Sequence, residues 1–165
     1  MPGYGVPEDP DGLLPWTWAE ERLAGCRNYW VVTADASGRP HAMPVWGVWS
    51  TEDSVFWFSA SHGSRKIRNL SENPQMVVTT DDSREVVSVE GRAHPLEAGT
   101  RARMAWAWAM KYADDPEAYE SDPGAQKEMA DFVLANAIYE MVPERAFGMI
   151  ETPEDFSRRA TKWVW

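Results

Sequence analysis

Cysteine is almost absent from this chain of 165 residues, which contains Cys26 alone. A single thiol excludes an internal disulfide and a cysteine-rich metal site. The histidines His41, His62 and His94 are scattered, without the spacing of a metal-binding motif, so we expect no bound metal. Cys26 lies near the end of a predicted helix with no evident base beside it, which favours a buried structural thiol over a nucleophile.

Positive charge is also scarce, since 16 Lys and Arg residues stand against 26 Asp and Glu residues and the formal net charge is −10. Nucleic acids and anionic membranes both attract basic surfaces, so we expect neither as a partner. No apolar run reaches the length of a membrane span. The chain does not open on a basic segment followed by an apolar run, so we expect no signal peptide and a cytoplasmic location.

Tryptophan, in contrast, is abundant, with ten residues in a chain of ordinary hydrophobic content. The length suits one domain with a substantial core. Most of these side chains are expected to be core or interface residues, although a flat cofactor ring would also use one or two of them. Several lie in β-like runs and two lie near the end of the chain: Trp30, Trp46, Trp49, Trp57, Trp163 and Trp165.

Short β-like segments, most of them joined by tight turns, dominate the pattern and indicate an antiparallel barrel rather than alternating βαβ units. Pro44 lies inside the second segment, which predicts an edge or a bulge there. The predicted strands are 29–33, 41–49, 55–59, 75–80, 86–94, 138–142 and 145–150.

The remaining segments are predicted to be helices, loops and termini. Residues 1–13 form a flexible arm, and residues 14–165 form one domain with a helical insert at about 95–136. Residues 114–123 are acidic and contain proline, which is typical of a solvated loop. The aromatic tail at residues 160–165 needs cover from the barrel or from a partner subunit. Helices are predicted at 15–25, 64–72, 96–112 and 125–134.

The stretch from Phe58 to Leu70 carries the strongest chemical signal of the sequence. A strand ends, small and hydroxylated residues follow, and a helix begins with Arg65 and Lys66 in its first turn. Free amides at a helix start favour an anion, Ser64 can cap the helix, and the two cations can bind phosphate. The residues alone leave two interpretations open, an anion cradle or a helix with ordinary surface cations.

The whole arrangement resembles the flavin and deazaflavin split β-barrel family, which includes pyridoxamine 5'-phosphate oxidase. The likeness runs from about Trp18 to Ala93 and from about Ile138 to the end, and it is most similar to the actinobacterial flavin/deazaflavin-dependent oxidoreductases. It depends on segments that occur in the family's order and spacing: 29–33, 38–46, 63–70 with Asn73-Pro74, 87–91 and 160–163.

This resemblance implies a mainly β protein with helices, a six-stranded antiparallel Greek-key split β-barrel that forms a homodimer with cofactor sites between the subunits. Ser64, Arg65 and Lys66 would hold the cofactor phosphate, with help from Ser59 and Ser61. The ring would lie along the second strand, and Trp163 would approach the site from the tail. The strand residues implied are His41, Met43, Pro44, Val45 and Trp46.

The family's B6-phosphate oxidases use an Arg and a Lys on the second strand, and neither is present between His41 and Trp46. Their C-terminal arginines also lack a match. We therefore expect an oxidoreductase that uses coenzyme F-420, or else FMN, to move a hydride to or from a small organic substrate. The cofactor carries the chemistry, so no catalytic residue is assigned. The alternatives are a non-catalytic flavin, deazaflavin or haem carrier, and a structural dimer with a vestigial site.

Overall fold

The computed structural model describes residues 12–156 and 158–165, and its strands form one antiparallel sheet. The strand order is β3-β2-β1-β4-β5-β6-β7, and a further pairing between β3 and β6 closes the first six strands into a barrel. The strands are β1 Asn28–Ala34, β2 Pro40–Ser50, β3 Val55–Ala60, β4 Gln75–Thr80, β5 Glu85–Pro95, β6 Ala137–Ile150 and β7 Thr161–Val164.

The connections confirm the predicted six-stranded Greek-key barrel. β1, β2 and β3 follow one another as hairpins, and β4 returns to lie beside β1, which is the Greek-key order. β7 adds to the barrel by pairing with β6 outside the closed ring.

Five α-helices flank the barrel in the described part of the chain. α1 precedes the barrel, α2 joins β3 to β4, and the other three form the helical insert between β5 and β6. They are α1 Trp16–Gly25, α2 Arg65–Glu72, α3 Arg101–Tyr112, α4 Pro116–Ser121 and α5 Pro123–Leu134, with a 3-10 helix at Ala98–Thr100.

Two sequence predictions need correction, and one falls outside the described residues. The acidic segment 114–123 contains the short helix α4 instead of being loop throughout. The two strands predicted at 138–142 and 145–150 are one strand, β6, because Glu144 forms a bulge between the pairs that Pro143 and Arg145 make with β5. The arm predicted at 1–13 lies mostly in residues 1–11, outside the described part.

The hydrophobic core has two parts that lie on opposite faces of β2 and β3. The first fills the barrel and is covered by the inner faces of α1 and α2; it includes Tyr29, Phe56, Phe58 and Met141. The second lies outside the barrel wall, beneath the helical insert. It contains the predicted packing stripe of α3, whose members are all buried: Met104, Trp108 and Tyr112.

The C-terminal end of α3 is fixed to the barrel by buried polar contacts. The Gly47 amide donates to Tyr112 Oη at 2.9 Å, and Tyr112 Oη in turn donates to the Arg27 carbonyl at 2.6 Å. Lys111 Nζ donates to Tyr29 Oη at 2.6 Å and to the Gly47 carbonyl at 3.0 Å. These bonds hold the helical insert against the point where β2 begins to leave the barrel.

Candidate functional site

A groove of about 350 Å³ opens where β2 separates from β3. β2 pairs with β3 only from Gly47 onward, whereas β3 continues to Ala60 along β6. Residues 40–46 of β2 pair with β1 alone, so Pro44 lies in an edge segment, as its imino acid chemistry predicted. Most of the residues that the sequence assigned to the site line this groove: Pro44, Val45, Trp46, Ser59, Ser61, Ser64 and Lys66.

The start of α2 forms the polar end of the groove. Ser64 is the N-cap residue in extended conformation, yet its side chain makes no capping hydrogen bond. Its Oγ is buried and has no hydrogen-bond partner among the described residues. Buried hydroxyls are nearly always paired, and amides of the first helical turn have no intrahelical acceptor. This end of the groove therefore presents unused hydrogen-bonding groups at the positive pole of a helix.

Buried contacts hold α2 in this orientation. The Asn69 side-chain amide donates to Thr33 Oγ1 at 2.9 Å, and both residues are buried. Arg68 donates to the Gly63 carbonyl and so braces the loop that leads into the helix. The Ser64 amide donates to the Ser61 carbonyl at 2.9 Å, which forms the turn before the first helical residue. The position of the Ser64 hydroxyl is therefore fixed by the fold.

The two cations of the α2 start lie in different surroundings. Lys66 lines the groove, and burial lowers the pKa of its ammonium from the ordinary value. Arg65 is exposed and is not among the lining residues. The pKa of Asp35 is lowered, first by the hydroxyl of Ser37 and, as the smallest of its causes, by the charge of Arg65. Lys66 thus supplies charge inside the groove, whereas Arg65 is exposed and is not part of the lining.

Three other predicted site residues are not among the residues that line the groove. His41 and Met43 lie on β2 opposite Thr33 and Val31, so they share a strand face with these two buried residues, but Met43 itself is 44% exposed. Trp163 lies on β7 and packs edge-on against Trp16, with ring centroids 5.5 Å apart.

Sequence reasoning missed three residues from the helical insert and its border with β6. They line the groove together with the predicted set: Trp108, Phe132 and Asn136. Trp108 was interpreted only as part of a packing stripe, and it is indeed 2% exposed. Its Nε1 is buried without a partner in the described chain, as Ser64 Oγ is. No local signal marks these residues, because α3 and α5 reach the groove only through the tertiary fold.

Neither the Cys26 thiol nor a metal-binding cluster adds a reactive centre in the described part. Burial raises the pKa of Cys26 to about 11, so its thiol stays protonated at neutral pH. Its Sγ donates to the Asn28 carbonyl at 2.7 Å. No group of three or more His, Cys, Asp or Glu side chains among residues 12–156 and 158–165 could hold a metal ion. The hydroxyls and the ammonium that line the groove are suited to binding an anionic ligand.

Comparison with protein families gives a match to the sequence model of pyridoxamine 5'-phosphate oxidase over residues 18–135, well over half of the chain. No curated protein matches the chain by sequence. None of the helices in the described ranges is long and apolar enough to cross a membrane.

Three solved structures illustrate the fold that this chain shares. A conserved hypothetical protein from Mycobacterium tuberculosis is 19% identical with a TM-score of 0.69, over 86% of this chain and 88% of that one. An F-420 reductase is 19% identical with a TM-score of 0.54, over 77% and 94%. A haem-binding protein from Mycobacterium smegmatis is 15% identical with a TM-score of 0.63, over 92% and 59%.

Proposed function

Because the chain belongs to the pyridoxamine 5'-phosphate oxidase family, we propose that it is an oxidoreductase that binds coenzyme F-420, or else FMN, in the groove between β2 and β3. It transfers a hydride to or from a small organic substrate. The observation that carries this proposal is the Ser64 hydroxyl, which is buried at the start of α2 without a partner in the described chain. A phosphate oxygen would satisfy that hydroxyl and the amides beside it.

The phosphate end of the cofactor would lie against Ser64 and Lys66. The partly buried ammonium of Lys66 is weakly screened by water, so its attraction to a phosphate is stronger than that of an exposed lysine. Ser59 and Ser61 lie at the end of β3 and would donate further hydrogen bonds. Arg65 would add charge from the rim.

The ring of the cofactor would lie along the edge segment of β2. Residues 40–46 have no strand partner on the β3 side within the described chain, so their backbone groups can reach the polar edge of a flat ring. The indole of Trp46 is 52% exposed and offers a face for stacking. His41 and Met43 would support the strand from its opposite face.

Once bound, the flavin or deazaflavin supplies the hydride chemistry. This chain holds the phosphate, orients the ring and excludes water with the aromatic side chains of the helical insert. Coenzyme F-420 is the first choice because residues 41–46 lack the Arg and Lys of the B6-phosphate oxidases. An F-420 reductase with the same fold supports this choice.

A homodimer with the cofactor between its subunits is part of the proposal. Trp30 and Trp46 are 45% and 52% exposed, and register places both on the same face of the β1–β2 pair as Pro44. An exposed aromatic face of this kind is typical of an interface. Trp163 is not among the residues that line the groove of its own chain, so it would serve the site of the partner subunit. Light scattering of the purified protein measures the oligomeric state.

Cofactor titration tests the site directly. The Arg65→Ala, Lys66→Ala double variant should weaken the binding of F-420 and of FMN by roughly tenfold or more, since two charge-assisted contacts are removed. A matched control removes two exposed cations elsewhere, Arg92 and Lys127, and should leave both affinities unchanged. Fluorescence of either cofactor gives the affinity. Wild-type titrations for the groove variant would contradict the proposal.

A non-catalytic carrier on the same barrel is the second candidate. The structural likeness to a haem-binding protein favours it. A Soret band after addition of haemin would support haem binding. A bound flavin that accepts electrons from a nicotinamide cofactor but passes none onward would support a flavin carrier.

A further inference from the structure

A second cleft, of about 570 Å³, lies between β2 and the helical insert. Trp46, Trp108 and Phe132 line both this cleft and the groove, so the two spaces share a wall. A volume of this size suits a small organic ligand. A molecule in the cleft would thus lie beside whatever occupies the groove.

Aromatic rings form the floor of the cleft. Trp46 stacks on Tyr112 with ring centroids 5.5 Å apart and an interplanar angle of 26°. Trp108 packs on Tyr112 at 4.7 Å and on Phe132 at 6.2 Å. Trp46 and Phe132 are 52% and 56% exposed, so part of each ring remains open to a ligand. Ring faces carry negative potential and attract cations.

Carboxylates form the rim. They come from the segment after α3, from the N-cap of α5 and from the first turns of α5: Asp114, Asp115, Asp122 and Glu128. Arg27 is the one cation among the described lining residues, and its guanidinium lies over the ring of Tyr112 at 5.5 Å. The cleft therefore already holds one cation against an aromatic ring, and carboxylates outnumber cations among its described lining residues.

The lining of the cleft also contains a buried donor that has no partner in the described chain. Trp108 is 2% exposed, lines both spaces, and leaves its indole N–H without a partner in the described chain. Buried indole N–H groups usually find an acceptor. A ligand that carries an oxygen or nitrogen acceptor on its apolar body would satisfy it.

We propose that this cleft binds an organic cation, namely a protonated or quaternary amine attached to a flat apolar body, and that this cation is the substrate. The aromatic floor recognises the body and the charge, the carboxylate rim recognises the charge, and the shared wall brings the molecule beside the cofactor. That the ligand is a redox substrate rests on the function proposed above. Its chemical class rests on the cleft alone.

Calorimetric titration of the full chain without cofactor tests the chemical class. The probes are benzyltrimethylammonium, the neutral benzyl alcohol and the anionic phenylacetate. The cation should bind about tenfold more tightly than the anion at low salt, because cation–π attraction and the acidic rim both act on its charge. Equal affinities, or tighter binding of phenylacetate, would overturn the proposal.

Charge variants locate the site. Asp114→Asn with Glu128→Gln should weaken binding of benzyltrimethylammonium by about fivefold, since two nearby charges are lost. Glu72→Gln with Glu154→Gln removes two exposed charges outside the cleft and should leave that affinity unchanged. A cleft variant that binds the cation like wild type would also overturn the proposal.

Parallel cofactor titrations separate this inference from the proposed function. Cation binding without binding of F-420 or FMN would refute only the redox role. Cofactor binding with no preference for the cation would refute only the cleft assignment. The Asp114→Asn, Glu128→Gln variant should bind cofactor normally, because neither residue lines the groove.

Discussion

The β-barrel has a closed side and an open side, which differ in whether the backbone N–H and C=O groups of their strands are paired on both edges. On the closed side, β5 pairs with β6 from end to end and with β4 from Ser88 to Arg92, and its inward residues Val87 and Val89 are fully buried. On the open side, residues 40–46 of β2 pair with β1 alone. A strand that is paired on both edges has no free backbone groups for a ligand. A strand with a free edge keeps backbone groups and aromatic faces available.

The largest contrast concerns the contribution of phenylalanine to stability on the two sides. Phe56 is 0% exposed inside the barrel, and Phe132 is 56% exposed at the groove. Phe56→Ala should reduce the free energy of unfolding by about 3–5 kcal/mol, because it leaves a cavity in a packed core. Phe132→Ala should cost less than about 1 kcal/mol. Urea denaturation of the two variants measures both, and similar losses would refute the distinction between the sides.

The next prediction compares the contributions to stability of two tyrosine hydroxyls in the helical insert. Tyr112→Phe deprives the buried Gly47 amide and the Arg27 carbonyl of their partner, so it should cost about 1–3 kcal/mol of unfolding free energy. The matched change Tyr119→Phe removes one long bond, 3.4 Å from the Gln126 carbonyl. Its cost should be well under 1 kcal/mol, near the lower end for a hydrogen bond. Equal losses of unfolding free energy would mean that the Tyr112 hydroxyl does not fix α3 to β2 where β2 leaves the barrel.

The pH dependence of stability should distinguish Lys111, which is partly buried where β2 leaves the barrel, from an exposed lysine. Burial lowers the pKa of Lys111 to about 8 from the model-compound value of 10.5. Between these two values the unfolded chain binds more protons than the folded chain, so this residue makes stability rise with pH. Relative to the Lys111→Met variant, the wild type should gain about 1 kcal/mol between pH 7.5 and about 10, after allowance for partial solvation.

The comparison with Lys111→Met is needed because a neighbouring group acts in the opposite direction. Burial raises the pKa of Cys26 to about 11, so the thiol makes stability fall as pH rises through 9. Both chains retain this thiol, so most of its contribution cancels in the difference between them, and what remains includes its electrostatic coupling to Lys111. Lys127→Met, at an exposed position, is the control for the loss of one lysine charge. A wild type that loses stability relative to Lys111→Met over this range would contradict the expectation.

Most strands were predicted from local sequence patterns, and the exceptions depended on tertiary contacts. β4 was predicted at its observed bounds, Gln75–Thr80, because alternation of buried and exposed residues is a local property. β6 was predicted as two strands because Pro143 usually ends one, and only the pairing with β5 shows that a bulge at Glu144 carries the strand through. α4 was missed because its residues look like an acidic loop.

At the groove, the sequence predicted lining residues from β2, β3 and α2, three elements that follow one another along the chain. It could not predict Trp108 or Phe132, which come from a distant insert. It also could not predict which polar atoms lack partners, because a hydrogen-bond vacancy is a property of the whole surroundings. That a hydroxyl can serve as a helix cap is readable from sequence, but that Ser64 leaves its hydroxyl unpaired is not.

Of these substitutions, Ser64→Ala should change the free energy of unfolding least. It should affect cofactor binding more than stability. An N-cap serine replaced by alanine ordinarily costs about 1 kcal/mol, because the capping bond is lost. Here the hydroxyl caps nothing, so removal of a buried, unpaired polar group should leave the free energy of unfolding unchanged within about 0.5 kcal/mol or raise it. Cofactor affinity should fall about fivefold, the value of one hydrogen bond to a phosphate oxygen. Ser71→Ala, at the exposed end of α2, controls for helix propensity. If Ser64→Ala lowered the free energy of unfolding by about 1 kcal/mol and left cofactor affinity unchanged, the hydroxyl would act as a helix cap. The proposed phosphate site on the open side would then be wrong.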